Sequence, residues 1–132
     1  MKMKFFIFAF AAAVAAPAIA SHTITNTGKS GERILVTDMF WQGPDCAGVA
    51  ISSYQLVSAP QNGTVTQRSV REKLNSAKLN ISPPARCEGK EIPISYVSYQ
   101  SKKGFKGSDS FTVRWTSATG ETREKSYTVT IQ

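Results

Sequence analysis

The chain has 132 residues, enough for one domain, and carries 16 Lys and Arg against 9 Asp and Glu for a formal net charge of +7. A surface so basic favours anionic neighbours: acidic glycans, lipopolysaccharide, membrane surfaces or acidic proteins. One histidine and two cysteines leave little from which to build a catalytic or metal site.

Lys2 and Lys4 precede an unbroken apolar run, residues 5–16, that Pro17 ends. Ala18-Ile19-Ala20 then supplies the small-x-small pattern accepted by signal peptidase. Residues 1–20 therefore read as a cleavable, bacterial-type signal peptide, with residues 21–132 as the mature domain. The run is shorter than the about 20 apolar residues of a spanning helix, so no transmembrane segment is expected in the mature form. The expected location is the periplasm or the cell exterior. Removing 20 of the 132 residues leaves 112, and losing two lysines lowers +7 to +5. Nucleic acid is not an expected partner of an exported chain without a recognised binding motif.

Beyond the leader the composition is that of a β protein, with Thr, Ser, Val, Ile and Tyr in short stretches punctuated by Gly, Pro, Asn and Asp. Strands are predicted at 33–37, 51–58, 64–70, 78–82 and 92–99, with an edge strand at 23–26 and a helical turn at 71–77. The clearest strands come last. Phe111, Val113 and Trp115 alternate with Thr112, Arg114 and Thr116, and Tyr127, Val129 and Ile131 alternate with Ser126, Thr128 and Thr130. Period two marks strands with one buried and one wet face, and Thr119-Gly120 between them predicts an antiparallel hairpin. About seven short antiparallel strands at this spacing make an all-β domain, a sandwich or a barrel.

Cys46 and Cys87 both lie in the mature part. In an oxidising compartment they most simply form one disulfide; two free thiols or a metal site are the alternatives. Metal is disfavoured because the sole histidine, His22, falls at the mature N-terminus, and no metal or other cofactor is expected. Met39, Phe40 and Trp41 are three large apolar residues in a row, which cannot all face one buried side of a strand. Trp41 is thus either a core residue beside the disulfide or an exposed anchor for a partner.

Ala59-Pro60-Gln61-Asn62-Gly63-Thr64-Val65 resembles the "aP.nGtv" turn and strand of bacterial immunoglobulin-like and cadherin-like repeat domains. Residues 104–112, from Gly104 through Phe105, Gly107, Asp109 and Phe111, resemble the "GF.G.DsFt" signature of the same domains, and residues 127–131 their closing "tVtI" strand. The resemblance implies an immunoglobulin-like β-sandwich and, through the tandem adhesins that carry such domains, cell adhesion. The acidic turn that some relatives use for calcium has no counterpart at residues 116–121. Physically, Gly104 and Gly107 permit positive φ, so Phe105 is expected to fold back over the end of the core. Asp109 is expected to accept hydrogen bonds from nearby backbone N–H groups and so brace the loop and fix the entry into the next strand, rather than to ligate calcium or act as an acid.

Catalysis is not expected. A triad needs a histidine on a rigid scaffold, and paired-carboxylate chemistry needs an opposed pair with one pKa raised, whereas the acidic residues here are scattered. The expected function is an exported, non-enzymatic binding module that meets a protein or an anionic glycan or surface through its loops. Lys102, Lys103 and Lys106 around Phe105 are the candidate contacts, with Trp41; Arg68, Arg71, Lys73 and Lys78 form a second basic stretch. The alternatives are an assembly subunit that pairs through an edge strand and a small periplasmic hydrolase inhibitor.

Overall fold

The computed structural model describes residues 23–43, 45–79 and 83–132. The expected signal peptide, His22 and most of the expected strand at 78–82 lie outside them. Nine strands form among the described residues: β1 (Thr23–Gly28), β2 (Arg33–Met39), β3 (Trp41–Gln42), β4 (Gly48–Val49), β5 (Ile51–Ser58), β6 (Gly63–Lys73), β7 (Glu91–Ser101), β8 (Gly107–Ser117) and β9 (Thr122–Ile131). A single 3-10 turn covers Ala85–Cys87. The strands make a four-stranded sheet in the order β1-β9-β8-β5, a three-stranded sheet in the order β2-β7-β6, and the short pair β3-β4. The described chain is all-β, and no helix in it is long and apolar enough to cross a membrane.

The alternation in β8 and β9 does what period two requires. Phe111, Val113, Trp115, Tyr127, Val129 and Ile131 are all buried and share one core with Val36, Met39, Val97 and Tyr99 from the three-stranded sheet. Burying each large side chain contributes roughly 1.5–3 kcal/mol, so this inter-sheet layer is the main source of stability. Tyr99 stacks on Phe111 across the layer, with ring centroids 6.2 Å apart. The Trp115 indole N–H donates to Ser95 Oγ at 3.0 Å, a polar tie between the two sheets. The expected β8–β9 hairpin forms, and Gly120 at φ 88° turns it.

Two expectations are corrected. The strands are not all antiparallel, because β1 pairs with β9 in parallel, from Thr23 beside Ser126 to Gly28 beside Ile131. A tight hairpin imposes antiparallel pairing only on strands adjacent in sequence; β1 and β9 are separated by the rest of the domain and are free of that constraint. The helical turn expected at 71–77 is displaced. Arg71, Glu72 and Lys73 extend β6 against β7, and the turn falls at 75–79, where Asn75 Oδ1 accepts from the Ala77 N–H at 3.1 Å and so fixes it.

Met39, Phe40 and Trp41 are all buried, without sharing one face. Met39 and Trp41 enter the main core, while Phe40, pointing the opposite way, enters a second cluster with Cys46, Leu74, Cys87, Ile92 and Ile94. Along β7, Ile92 and Ile94 are buried on one face and Ser95, Val97 and Tyr99 on the other, so burial changes face partway along the strand. The Cys46–Cys87 disulfide, with Cα atoms 5.3 Å apart, ties the β3–β4 turn to the segment between β6 and β7 and closes this second cluster.

Candidate binding site

One end of the molecule is built around a buried carboxylate. Asp109, 6% exposed near the start of β8, accepts four hydrogen bonds. Its Oδ1 takes the N–H groups of Gln61 and Ser110, both at 3.0 Å. Its Oδ2 takes the Asn62 N–H at 2.9 Å and the Tyr99 hydroxyl at 2.8 Å. Burial pushes the carboxyl pKa up, but the four donors outweigh it and leave the pKa below its ordinary value. Burial, with the neighbouring carboxylate, pushes the Tyr99 phenol up. Asp109 is therefore a charged brace whose four donors tie the loop at 61–62 to β7 and β8.

That brace fixes the loop at 59–62, and the loop fixes its neighbours. The Lys102 N–H donates to the Asn62 carbonyl at 2.8 Å, and the Phe105 N–H donates to the Lys102 carbonyl at 3.1 Å, closing a tight turn. Gly104 occupies it at φ 87°, the left-handed region a type II turn needs at that position. Ser30, in the β1–β2 turn, accepts from the Gly104 N–H at 2.7 Å. The Gly31 N–H donates to Ser101 Oγ at 2.9 Å, and the Gln100 amide donates to the Gly31 carbonyl at 2.9 Å. Three loops distant in sequence are thereby joined into one surface.

On that surface Lys102, Lys103 and Lys106 are exposed, as is Lys29 from the β1–β2 turn, with Glu32 as the carboxylate of the same turn. None of the three ion pairs among the described residues, Arg71–Glu91, Arg114–Glu124 and Arg123–Glu121, includes these lysines. Phe105 is half-buried and packs against the main core, so it covers the end of the layer without leaving the surface entirely. Phe111 sits wholly inside. Lys29 and Ser30 escaped the sequence reading, since nothing local marks that turn as a neighbour of residues 102–106.

Trp41 does not join this surface. It is 4% exposed, lies in the main core and carries the Arg123 guanidinium over its ring at 5.0 Å, so it has no face to offer a partner. The aromatic buried beside the disulfide is instead Phe40, with Tyr96 packed against the same cluster. Among the described residues no three His, Cys, Asp or Glu side chains come together as a metal site would require. No protein-family model matches the chain, and no curated protein matches its sequence.

Proposed function

We propose that this chain is an exported, non-enzymatic binding module of immunoglobulin-like sandwich architecture, related to bacterial immunoglobulin-like and cadherin-like repeats, that meets an anionic protein or glycan surface through its lysine-bearing end. The observation that carries this reading is the joined loop surface. Asp109 and Ser30 hold Lys29, Lys102, Lys103 and Lys106 on a pre-ordered backbone, so binding pays little ordering entropy. Two sheets packed on one core, a disulfide and the basic charge all fit such a module. The test is capture of the partner by the tagged exported protein at low and high salt. Replacing Lys102, Lys103 and Lys106 together by Gln should release the partner at low salt, and high salt should release it from the wild type, because the Debye length falls from about 10 Å at 0.1 M to about 3 Å at 1 M.

A second reading rests on β5. It ends the four-stranded sheet, holds no charged residue from Ile51 to Ser58, and exposes Leu56 (38%) and Val57 (45%). Natural edge strands usually carry charge or proline against unwanted pairing. An assembly subunit would use such an edge for strand addition, whose backbone hydrogen bonds and apolar contacts tolerate salt. A partner that survives high salt, ignores the triple Gln variant and is lost on Val57→Lys would replace the loop reading with this one.

A further inference from the structure

We propose that the groove on the outer face of the three-stranded sheet is a site for an acidic oligosaccharide, a run of sugar residues bearing carboxylates. The face takes its shape from the change of buried face along β7. Where the Leu74–Lys90 segment folds back, Ile92 and Ile94 are covered by the second cluster; further along β7 the same face is left open. There the register sets Leu35 beside Ser98 and Ser98 beside Thr66, and one step along it sets Tyr96 beside Arg68. The cavity so formed has a volume of about 740 Å³, with Arg33 lining it from the start of β2 and Lys78 from the returning segment. That lies within the roughly 300–1,000 Å³ of ordinary ligand sites and has room for several sugar rings.

The lining chemistry selects the ligand class. Arg33, Arg68 and Lys78 supply three cations against the one carboxylate of Glu72, and Glu72 already accepts the Tyr96 hydroxyl at 2.7 Å. None of the ion pairs among the described residues includes these three cations. Arg68 lies over the Tyr96 ring, 5.6 Å from its centroid, which orients its guanidinium, and a guanidinium fork matches a carboxylate in two parallel hydrogen bonds. Thr66 and Ser98 offer short hydroxyls suited to sugar hydroxyls, and Leu35, 48% exposed, offers an apolar patch for the C–H face of a ring.

The spacing suits a repeating anion. Arg33 pairs across from Gln100 and Arg68 from Tyr96, four residues apart along β7. At about 3.3 Å per residue their rungs are roughly 13 Å apart, and they stand on opposite sides of β7. A chain carrying a carboxylate on successive sugars can cross the groove diagonally and meet each in turn, whereas one isolated phosphate or sulfate needs no such spacing. This site is separate from the lysine-bearing end and does not rest on that reading.

Titration calorimetry of the folded protein with hexasaccharides of galacturonate, mannuronate and hyaluronan, with maltohexaose and inorganic phosphate as controls, tests the proposal. At least one of the three acidic probes should bind while both controls fail. Arg68→Gln and Arg33→Gln should each weaken binding by about tenfold or more, as loss of a charge-assisted hydrogen-bonded pair does, with unchanged melting temperatures. Amide NMR shifts should gather at Leu35, Thr66 and Ser98. The Lys102, Lys103 and Lys106 triple Gln variant should bind as the wild type. Failure of all three acidic probes, equal binding of phosphate, or binding that ignores Arg68→Gln and vanishes in the lysine variant would each overturn it. None of these outcomes bears against the loop reading, and the last would support it.

Discussion

The Tyr99 hydroxyl donates to Asp109 Oδ2 at 2.8 Å inside the molecule, joining the last turn of β7 to the start of β8 across the two sheets. Each carboxylate oxygen of Asp109 has one such partner from outside its own strand and one further donor, so neither oxygen is spare. Asp109→Asn cannot satisfy this arrangement in either amide orientation, because an NH₂ group would face a backbone N–H on both sides. The substitution should lower stability by about 2–3 kcal/mol, whereas Tyr99→Phe, which removes one donor and leaves three, should lower it by about 1 kcal/mol. Denaturant unfolding of the two variants measures the difference, and equal losses would show that the backbone donors contribute nothing.

The same carboxylate predicts an acid response. Its folded-state pKa is depressed, so its contribution is present above the ordinary value of 3.8 and is lost as pH falls below that value through the folded one. The unfolded chain then takes up the proton first, and stability declines. Thermal melting between pH 6 and pH 2 should show a steeper acid decline in the wild type than in Asp109→Asn, which has no such proton to gain.

Ser95 predicts a large effect from a small change. It is fully buried, and its hydroxyl accepts both the Trp115 indole N–H at 3.0 Å and the Gln67 side-chain amide at 2.8 Å. Ser95→Ala removes one atom but strands the Trp115 indole N–H deep between the sheets, while the Gln67 amide keeps Ser69 Oγ at 2.7 Å. The expected loss is about 2–3 kcal/mol, against near neutrality for a serine-to-alanine change at exposed Ser53. Calorimetric melting of both variants decides it.

Loss of the Cys46–Cys87 bond should cost about 2–5 kcal/mol and should act locally as well as globally. The bond closes the second cluster rather than the main core. In Cys46→Ala/Cys87→Ala, hydrogen exchange should therefore accelerate most at Leu74, Gly89 and Ile92, while Val113 and Val129 in the main layer keep their relative protection. Uniform acceleration would mean that the two clusters unfold as one unit.

How much of this was legible beforehand depended on whether the cause was local. The alternation of β8 and β9 and the hairpin at Gly120 follow from neighbours in sequence, whereas three of the four donors to Asp109 come from Gln61, Asn62 and Tyr99, far from it in the chain. That Met39, Phe40 and Trp41 do not all face one side follows from their adjacency, but the second cluster that buries Phe40 is assembled from distant residues. Gly63, which reads as turn chemistry after Asn62, begins β6, and a Cβ there would come within 2.5 Å of the Tyr99 ring. It is glycine because a side chain 36 residues away needs the space, and no local pattern carries that message. The meeting of Ser30 with Gly104 was hidden for the same reason.

The parallel docking of β1 on β9 has a consequence for how the molecule comes into being. A ribosome releases the chain from its N-terminal end, so the segment that becomes β1 is delivered before the other described strands, yet its one ladder partner among the described residues is the last to arrive. Until β9 is free, the backbone of residues 23–28 has no place to bond. Every other long strand finds a neighbour sooner, with β6 and β7, and β8 and β9, adjacent in the chain. Closure of the four-stranded sheet is thus timed by the C-terminus, and a nascent chain halted anywhere before residue 126 holds its first strand in waiting.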